Sequence, residues 1–317
     1  MNIYFWILRL AALFGHRKVK LLVKGQAEAL EALRAWRGTQ KKDAHIIWIH
    51  VASVGEFEQA RPIIERLRKQ AHPSKILLTF FSPSGYEMRK NYNLVDKVLY
   101  LPFATKRNAK KWLDILRPSQ AIFVKYEFWP AYLKQLKTNK VPTYLLSAIF
   151  RPNQLFFKPW GAWYRNLLHC FTHIFVQDNA SFSLLNQYGI QHTTVAGDTR
   201  FDRVEEIKSL AKELPIIQQF VEGYPKVLVA GSTWPIEEEM LARYVAERGD
   251  VRLILVPHEL HTSHLHQIFQ FFEGRFVRYT QARIIGLQMT STLLVDTMGL
   301  LSSIYRYGHI AYIGGGF

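Results

Sequence analysis

The sequence predicts an α/β protein made of two Rossmann-like domains facing a cleft, with the second domain incomplete. Three observations carry that expectation. Short apolar runs rich in β-branched residues alternate with helical patterns, the rhythm of a parallel sheet covered on both faces. The rhythm occurs twice, and the charged, proline-broken stretch Glu205–Tyr224 separates the two series as a linker helix and loop. The chain's 317 residues suit two domains of ordinary size better than one core. A hydrophobic content of 49% with 14% aromatics excludes a disordered chain.

Taken in order, residues 1–24 read as a membrane-associating segment. Ile3 to Phe14 is apolar except for Arg9, and His16, Arg17, Lys18, Lys20 and Lys24 follow before the first acid, Glu28. Such a run is shorter than the about 20 residues that span a bilayer but suits an interfacial helix whose basic tail meets anionic headgroups. The charges follow the apolar stretch, which argues against a cleaved signal peptide. A buried first helix is the alternative.

Residues 25–210 form the expected first Rossmann-like domain, with strands at Ile46–His50, Lys75–Phe80, Lys97–Leu101, Ala121–Val124, Thr143–Ser147 and His173–Gln177. Helical patterns lie at Phe57–Gln70, Lys106–Leu116 and Ala180–Gln187. Residues 211–317 form the second domain, with strands at Lys226–Ala230, Arg252–Val256, Ile284–Ile285, Leu293–Asp296 and His309–Ile313. Gly314-Gly315-Gly316-Phe317 is a glycine-rich strand end of the kind that leads into an anion-holding helix, and a truncated chain is expected from it. Two such domains in succession make the GT-B architecture of many glycosyltransferases, although fold does not determine function.

The most informative segment is IIWIHVASVGEFEQ, residues Ile46 to Gln59. Its apolar run stops at a turn of small residues, Ala52, Ser53 and Gly55, and delivers Glu56 to the carboxyl edge of a strand and the mouth of a helix. Ligands of open α/β sheets bind at that edge, so Glu56 is a candidate general base. The competing reading is a helix-start acid favoured by the macrodipole.

A balance of 41 Lys+Arg against 25 Asp+Glu leaves +16, which favours an anionic partner: nucleic acid, phospholipid or phosphorylated substrate. The single cysteine, Cys170, excludes an internal disulfide. No Walker loop, GxGxxG after the first strand or Asp-x-Asp pair is present, so neither a cofactor nor a metal is expected. His258, His261, His264 and His266 cluster in HELHTSHLH, but their spacing is not that of a zinc-protease helix, and a polar loop entering a helix is the preferred reading.

HVASVGE (His50–Glu56), TFFSPSGYE (Thr79–Glu87), YLPF (Tyr100–Phe103), YEFWP (Tyr126–Pro130), GDTRFD (Gly197–Asp202), AGSTWPIEEE (Ala230–Glu239) and DTMG (Asp296–Gly299) follow one another in an order and spacing that resembles the Kdo transferases of lipopolysaccharide synthesis. The resemblance runs from about Ile46 to Phe317. It implies transfer of 3-deoxy-D-manno-octulosonic acid from CMP-Kdo to a phosphorylated lipid A precursor, with inversion in one displacement. It also implies a peripheral or monotopic place on the cytoplasmic face of the inner membrane. Carried over residue by residue, it makes Glu56 the proton acceptor, Glu127 a second acidic group and Arg200 a stabiliser of the transition state. The competing roles are an ion-paired loop carboxylate for Glu127 and a solvated arginine for Arg200.

Donor binding falls to the second domain in this scheme. Ser232 offers hydroxyl or amide to CMP, whereas Glu237-Glu238-Glu239 reads as a solvated helix start. Pro257-His258 stands where the family commonly has Pro-Arg, and Met298-Gly299-Leu300 where it commonly has Met-Gly-Glu. His258 still offers a donor, although an imidazole is only partly charged near neutral pH; Leu300 accepts no hydrogen bond. For the acceptor, Arg61, Lys106, Arg107, Lys110, Lys111 and Arg151 suit phosphates. Phe156, Phe157, Trp160, Trp163 and Tyr164 suit acyl chains or the bilayer, a satellite hydrophobic cluster being the alternative. Two other functions stay open: another GT-B sugar-nucleotide enzyme, and a non-enzymatic module binding membrane or polyanions. No nucleic-acid-reading motif is present, which argues against DNA or RNA as partner.

Overall fold

A computed structural model of the chain describes residues 17–70, 74–202, 213–287 and 290–315. The chain divides into two compact units, Met1–Arg203 and Val204–Phe317. The apolar segment expected to meet the membrane, Ile3–Phe14, lies outside the described residues, and no described helix is long and apolar enough to cross a bilayer.

Among the described residues the first unit holds a seven-stranded parallel sheet: β1 (Ile46–Val51), β2 (Lys75–Phe80), β3 (Lys97–Tyr100), β4 (Gln120–Val124), β5 (Thr143–Ala148), β6 (His173–Val176) and β7 (Thr193–Val195). The spatial order is β3-β2-β1-β4-β5-β6-β7. From β1 the chain winds toward β2, and from β4 it winds toward β5, so a topological switch point opens between β1 and β4. Six consecutive residues of β1 are buried, as expected of a strand covered on both faces. On one face Trp48 packs against Trp112, Phe123 and Tyr132, with ring centroids 5.3–5.9 Å apart. On the other, Ile47, Ile49 and Val51 pack with Phe57, Ile64 and Phe80.

Helices α1 (Arg17–Gly38), α2 (Val54–Arg68), α3 (Pro83–Arg89), α4 (Lys106–Leu116), α5 (Pro130–Thr138), α6 (Ala162–Leu168) and α7 (Asn179–Gln187) cover the sheet. Their starts follow the chemistry of helix ends. The Thr105 hydroxyl accepts from the Asn108 amide, the Asp178 carboxylate accepts from the Ser181 amide, and Pro130 opens α5 where its missing N–H costs nothing.

Among the described residues the second unit holds α8 (Pro215–Val221), β8 (Lys226–Thr233), α9 (Pro235–Ala246), β9 (Val251–Pro257), α10 (Thr262–Phe271), β10 (Val277–Arg278), α11 (Ala282–Ile285), β11 (Thr292–Leu294), α12 (Leu301–Ile304) and β12 (Ile310–Ile313). The sheet is parallel, in the order β10-β11-β9-β8-β12, with its switch point between β8 and β12.

Several expectations change. Ile284 and Ile285 close a short helix and are exposed; two apolar residues are too few to set a period. The edge strands β7 and β10 escaped notice because each is short and only partly apolar. Within the expected linker Glu205–Tyr224, residues 203–212 lie outside the described ones. The rest is no free connector, because Ile217 and Phe220 of α8 are fully buried in the second core.

Candidate active site

Glu56 owes its position to the way β1 becomes α2. Ser53 stands at the N-cap in extended conformation, but its hydroxyl makes no capping bond. The carboxylate of Glu56, in the first helical turn, takes that part: Glu56 Oε2 accepts from the Ala52 amide, and the Ser53 amide also stabilises it. Glu56 is therefore a helix-start acid, yet its proton affinity moves the other way. Burial pushes its carboxyl above the usual carboxylate range, and the negative charge of Glu127 adds to that. The amides and the His50 ring act in opposition without cancelling it. A carboxylate raised toward neutrality is a better proton acceptor than an ordinary one.

Glu127 comes from the opposite side of the switch point. After β4 the chain turns through Lys125, which adopts the left-handed region at φ 58°, and Glu127 follows. Glu127 is 8% exposed and lies against His50, close to the ion-paired loop carboxylate of the competing reading. Glu127 Oε2 accepts from Trp129 Nε1 at 2.5 Å and faces His50 Nε2 at 3.0 Å. The other His50 nitrogen, Nδ1, meets Thr79 Oγ1 at 2.9 Å, and Thr79 Oγ1 accepts from Trp48 Nε1 at 2.8 Å. His50, Thr79 and Trp48 are fully buried. The turn after β1 and the turn after β4 thus each hold a carboxylate at the carboxyl edge of the sheet, and Glu127 is backed by a polar chain inside it.

Arg200 stands on a segment tied to α2. The Asp198 carboxylate accepts from Gln59 Nε2 at 3.1 Å, and the Thr199 hydroxyl donates to the Gln59 carbonyl at 2.8 Å. Gln59 is one helical turn beyond Glu56. Arg200 donates to Asp198 through Nε at 2.8 Å and Nη2 at 2.5 Å, while its guanidinium remains exposed. Burial raises the Asp198 carboxyl, but the hydrogen bonds from Arg200 and Gln59 outweigh it and hold it low. Arg200 is thus neither simply solvated nor buried: it is an anchored cation facing outward.

In the second unit, Ser232 occupies a β-bulge at the end of β8 with φ 57°, beside that sheet's switch point. Pro257 closes β9, and the ring of exposed His258 stacks on Trp234 with centroids 4.7 Å apart. Met298 is exposed and Gly299 has φ 85°, while Leu300 packs against the core. These residues leave β8, β9 and β11, three adjacent strands, at their carboxyl ends.

The acidic run after β8 differs from the expectation of a solvated helix start. Glu237 and Glu238 are buried. Glu237 accepts from the Trp234 amide at 2.8 Å and the Gly315 amide at 3.1 Å, joining the ends of β8 and β12. Glu238 accepts from the Thr233 hydroxyl and faces His264 Nε2, both at 2.8 Å. Two of the clustered histidines are absorbed by structure in this way, since His261 caps α10 and His264 pairs with Glu238. Arg61 is likewise paired, with Glu65 and Glu58, and is no free phosphate ligand, whereas Lys106, Arg107, Lys110, Lys111 and Arg151 are exposed. The aromatic loop splits. Phe156 and Phe157 are buried against Phe150, Phe128 and Tyr188, while Trp160, Trp163 and Tyr164 are exposed.

His50, Trp129, Gln59, Asp198 and Glu238 were not picked out as site residues. A polar residue inside an otherwise apolar strand run was the signal for His50; the others contact the site only through the fold.

The two parallel sheets in succession, each with its candidate residues at the carboxyl edge, make this an α/β protein of GT-B architecture. The fold is similar to that of UDP-GlcNAc 2-epimerase from Neisseria meningitidis, with a TM-score of 0.55 at 15% identity, covering 86% of this chain and 78% of that one. The family described as 3-deoxy-D-manno-octulosonic-acid transferase (kdotransferase) matches residues 27–203, and the chain belongs to that family. It is 25% identical to the 3-deoxy-D-manno-octulosonic acid transferase of Aquifex aeolicus (strain VF5), over 86% of this chain and 69% of the relative. To the transferase of Haemophilus influenzae it is 24% identical, over 85% and 65% respectively. The chain spans about two thirds of the length of these curated relatives.

Proposed function

We propose that the protein is an inverting glycosyltransferase that moves Kdo from CMP-Kdo to a phosphorylated lipid A precursor, with Glu56 as general base. Glu56 accepts the proton of an acceptor hydroxyl as that oxygen bonds to the anomeric carbon of Kdo. The bond from that carbon to the phosphate oxygen breaks, and CMP departs with the electron pair. One observation carries the reading: Glu56 is held by a rigid strand-to-helix turn at a switch point, with burial and the Glu127 charge raising its proton affinity.

Arg200 offsets charge as the phosphate leaves. Ser232, Pro257, His258, Met298 and Gly299 form the donor edge of the second unit, where Leu300 contributes packing alone. Exposed Lys106, Arg107, Lys110 and Lys111 on α4 receive acceptor phosphates, and exposed Trp160 and Trp163 meet the membrane surface at the cytoplasmic face of the inner membrane.

The test is transfer of Kdo to a lipid A precursor, with uridine-linked sugars as competing donors. Glu56→Gln and Glu56→Ala should each lose about a hundredfold or more in kcat with donor binding retained. Near-normal turnover by Glu56→Gln removes the base, and preference for a uridine-linked sugar removes the donor assignment.

A further inference from the structure

We propose that Gln59 and Asp198 are positioning residues for the transfer step: together they fasten the Arg200 guanidinium to α2, the helix that carries Glu56, so that one element holds both base and cation. The inference rests on the reading of Arg200 as the charge stabiliser and adds two groups that act through it.

Each contact has a definite direction. The Asp198 side chain is 7% exposed and both its oxygens accept: Oδ1 from the Arg200 amide at 3.0 Å and Gln59 Nε2 at 3.1 Å, Oδ2 from Arg200 Nε at 2.8 Å and Nη2 at 2.5 Å. A carboxylate only accepts, so the Gln59 nitrogen must be the atom that faces it. Gln59 Oε1 is then left buried without a partner among the described residues, in a residue 1% exposed. The fold alone gains little from that choice, since a hydrophobic chain of the same length would leave no orphaned acceptor. A second tie fixes the backbone of the same segment. The Thr199 hydroxyl donates to the Gln59 carbonyl at 2.8 Å, and so accepts from Ser147 Oγ at 3.1 Å, at the carboxyl end of β5. Residues three apart on a helix share a face, with Cβ atoms about 5–6 Å apart, so Glu56 and the anchor of Arg200 are neighbours on α2. An exposed ion pair adds little stability by itself, and the Arg200 side chain is 58% exposed. What the clamp supplies is order. An arginine on an unanchored loop would have to be immobilised as charge develops on the departing phosphate, whereas here its freedom is lost before the reaction begins.

The experiment is a double-mutant cycle in the transfer assay, read beside the side-chain dynamics of the full chain. Arg200→Ala measures the whole contribution of the cation, expected at about 100- to 1000-fold in kcat. Gln59→Met, equal in length but without the N–H, should lose roughly 10-fold in kcat, a part of that contribution, with KM little changed and the melting temperature held. In the Arg200→Ala background the same change should cost nothing further, because the two residues act as a unit. ¹⁵N relaxation at Arg200 Nε, with the resonance assigned by its loss in Arg200→Lys, should show a more mobile guanidinium in Gln59→Met than in the native chain. If Gln59→Met does not fold, Asp198→Asn carries the same comparison: its amide keeps one acceptor oxygen, loses the paired charge and should free the guanidinium likewise. An equal loss in both backgrounds, or an Arg200 Nε as rigid in the variant as in the native chain, overturns the inference and leaves Arg200 as stabiliser untouched. Normal turnover by Arg200→Ala overturns the stabiliser itself and the inference with it, and is read from a different variant.

Discussion

Replacing Thr79 by valine tests the buried polar chain at its centre. The two side chains have nearly the same shape, so the substitution opens no cavity of consequence; what it removes is one hydroxyl. That hydroxyl accepts from Trp48 Nε1 at 2.8 Å and faces His50 Nδ1 at 2.9 Å, and all three residues are fully buried. In Thr79→Val the Trp48 N–H is left in a dry core without a partner, while His50 Nδ1 can turn its proton toward the backbone carbonyl of position 79, at 3.2 Å. An orphaned buried donor costs about 1–3 kcal/mol. Taking about 2 kcal/mol, a unit of the size of Met1–Arg203 should melt about 4–8 °C lower. Thr79→Ser keeps the hydroxyl, loses one methyl group and should cost only about 1 kcal/mol. Differential scanning calorimetry on the three proteins makes the comparison. Valine and serine variants of equal stability would refute the reasoning.

Four further outcomes are expected. Because Glu56 is raised in the folded protein, the folded state holds its proton more tightly than the unfolded chain does, and ionisation weakens folding as pH rises through that window. Glu56→Gln should therefore be more stable than the native protein at neutral pH and indistinguishable from it below the unfolded carboxyl range; urea titrations at the two pH values check the sign. Gly161→Ala would place a Cβ 1.8 Å from the Leu155 carbonyl oxygen, so it should cost about 3 kcal/mol or more in the same melts and loosen the Phe156–Phe157 turn. Trp160→Ser with Trp163→Ser removes two exposed indoles, and cosedimentation with anionic vesicles should weaken while the melting temperature holds. His258→Arg exchanges an imidazole for a fixed cation, and calorimetric titration with CMP should show roughly tenfold tighter binding, the difference expected of a charge-assisted hydrogen bond.

Much of the fold was legible because its signals are local. A strand covered on both faces must be apolar along its length, so Ile46–His50 and Lys75–Phe80 declared themselves, and the helix Lys106–Leu116 announced its apolar face by period. Ile284–Ile285 misled because two residues carry no period. Glu237 and Glu238 misled because an acid at a helix start is ordinarily solvated, whereas here the amides of Trp234 and Gly315 and the side chains of Thr233 and His264 compensate its burial.

The order of residues by itself determined where the buried central strands run, that Glu56 stands at a strand-to-helix turn, and which family the chain resembles. It did not determine which turns become neighbours. That β1 lies beside β4, bringing Glu127 within reach of His50 across a sequence separation of 77 residues, was decided by sheet order, and that Gln59 donates to Asp198 from 139 residues away was decided by the path of the chain after the edge strand β7. The physical reason is that strand order follows from how helices cover two faces of a twisted sheet, a property of the whole unit. The proton affinity of a carboxylate, in turn, depends on burial and neighbouring charge that only this arrangement supplies.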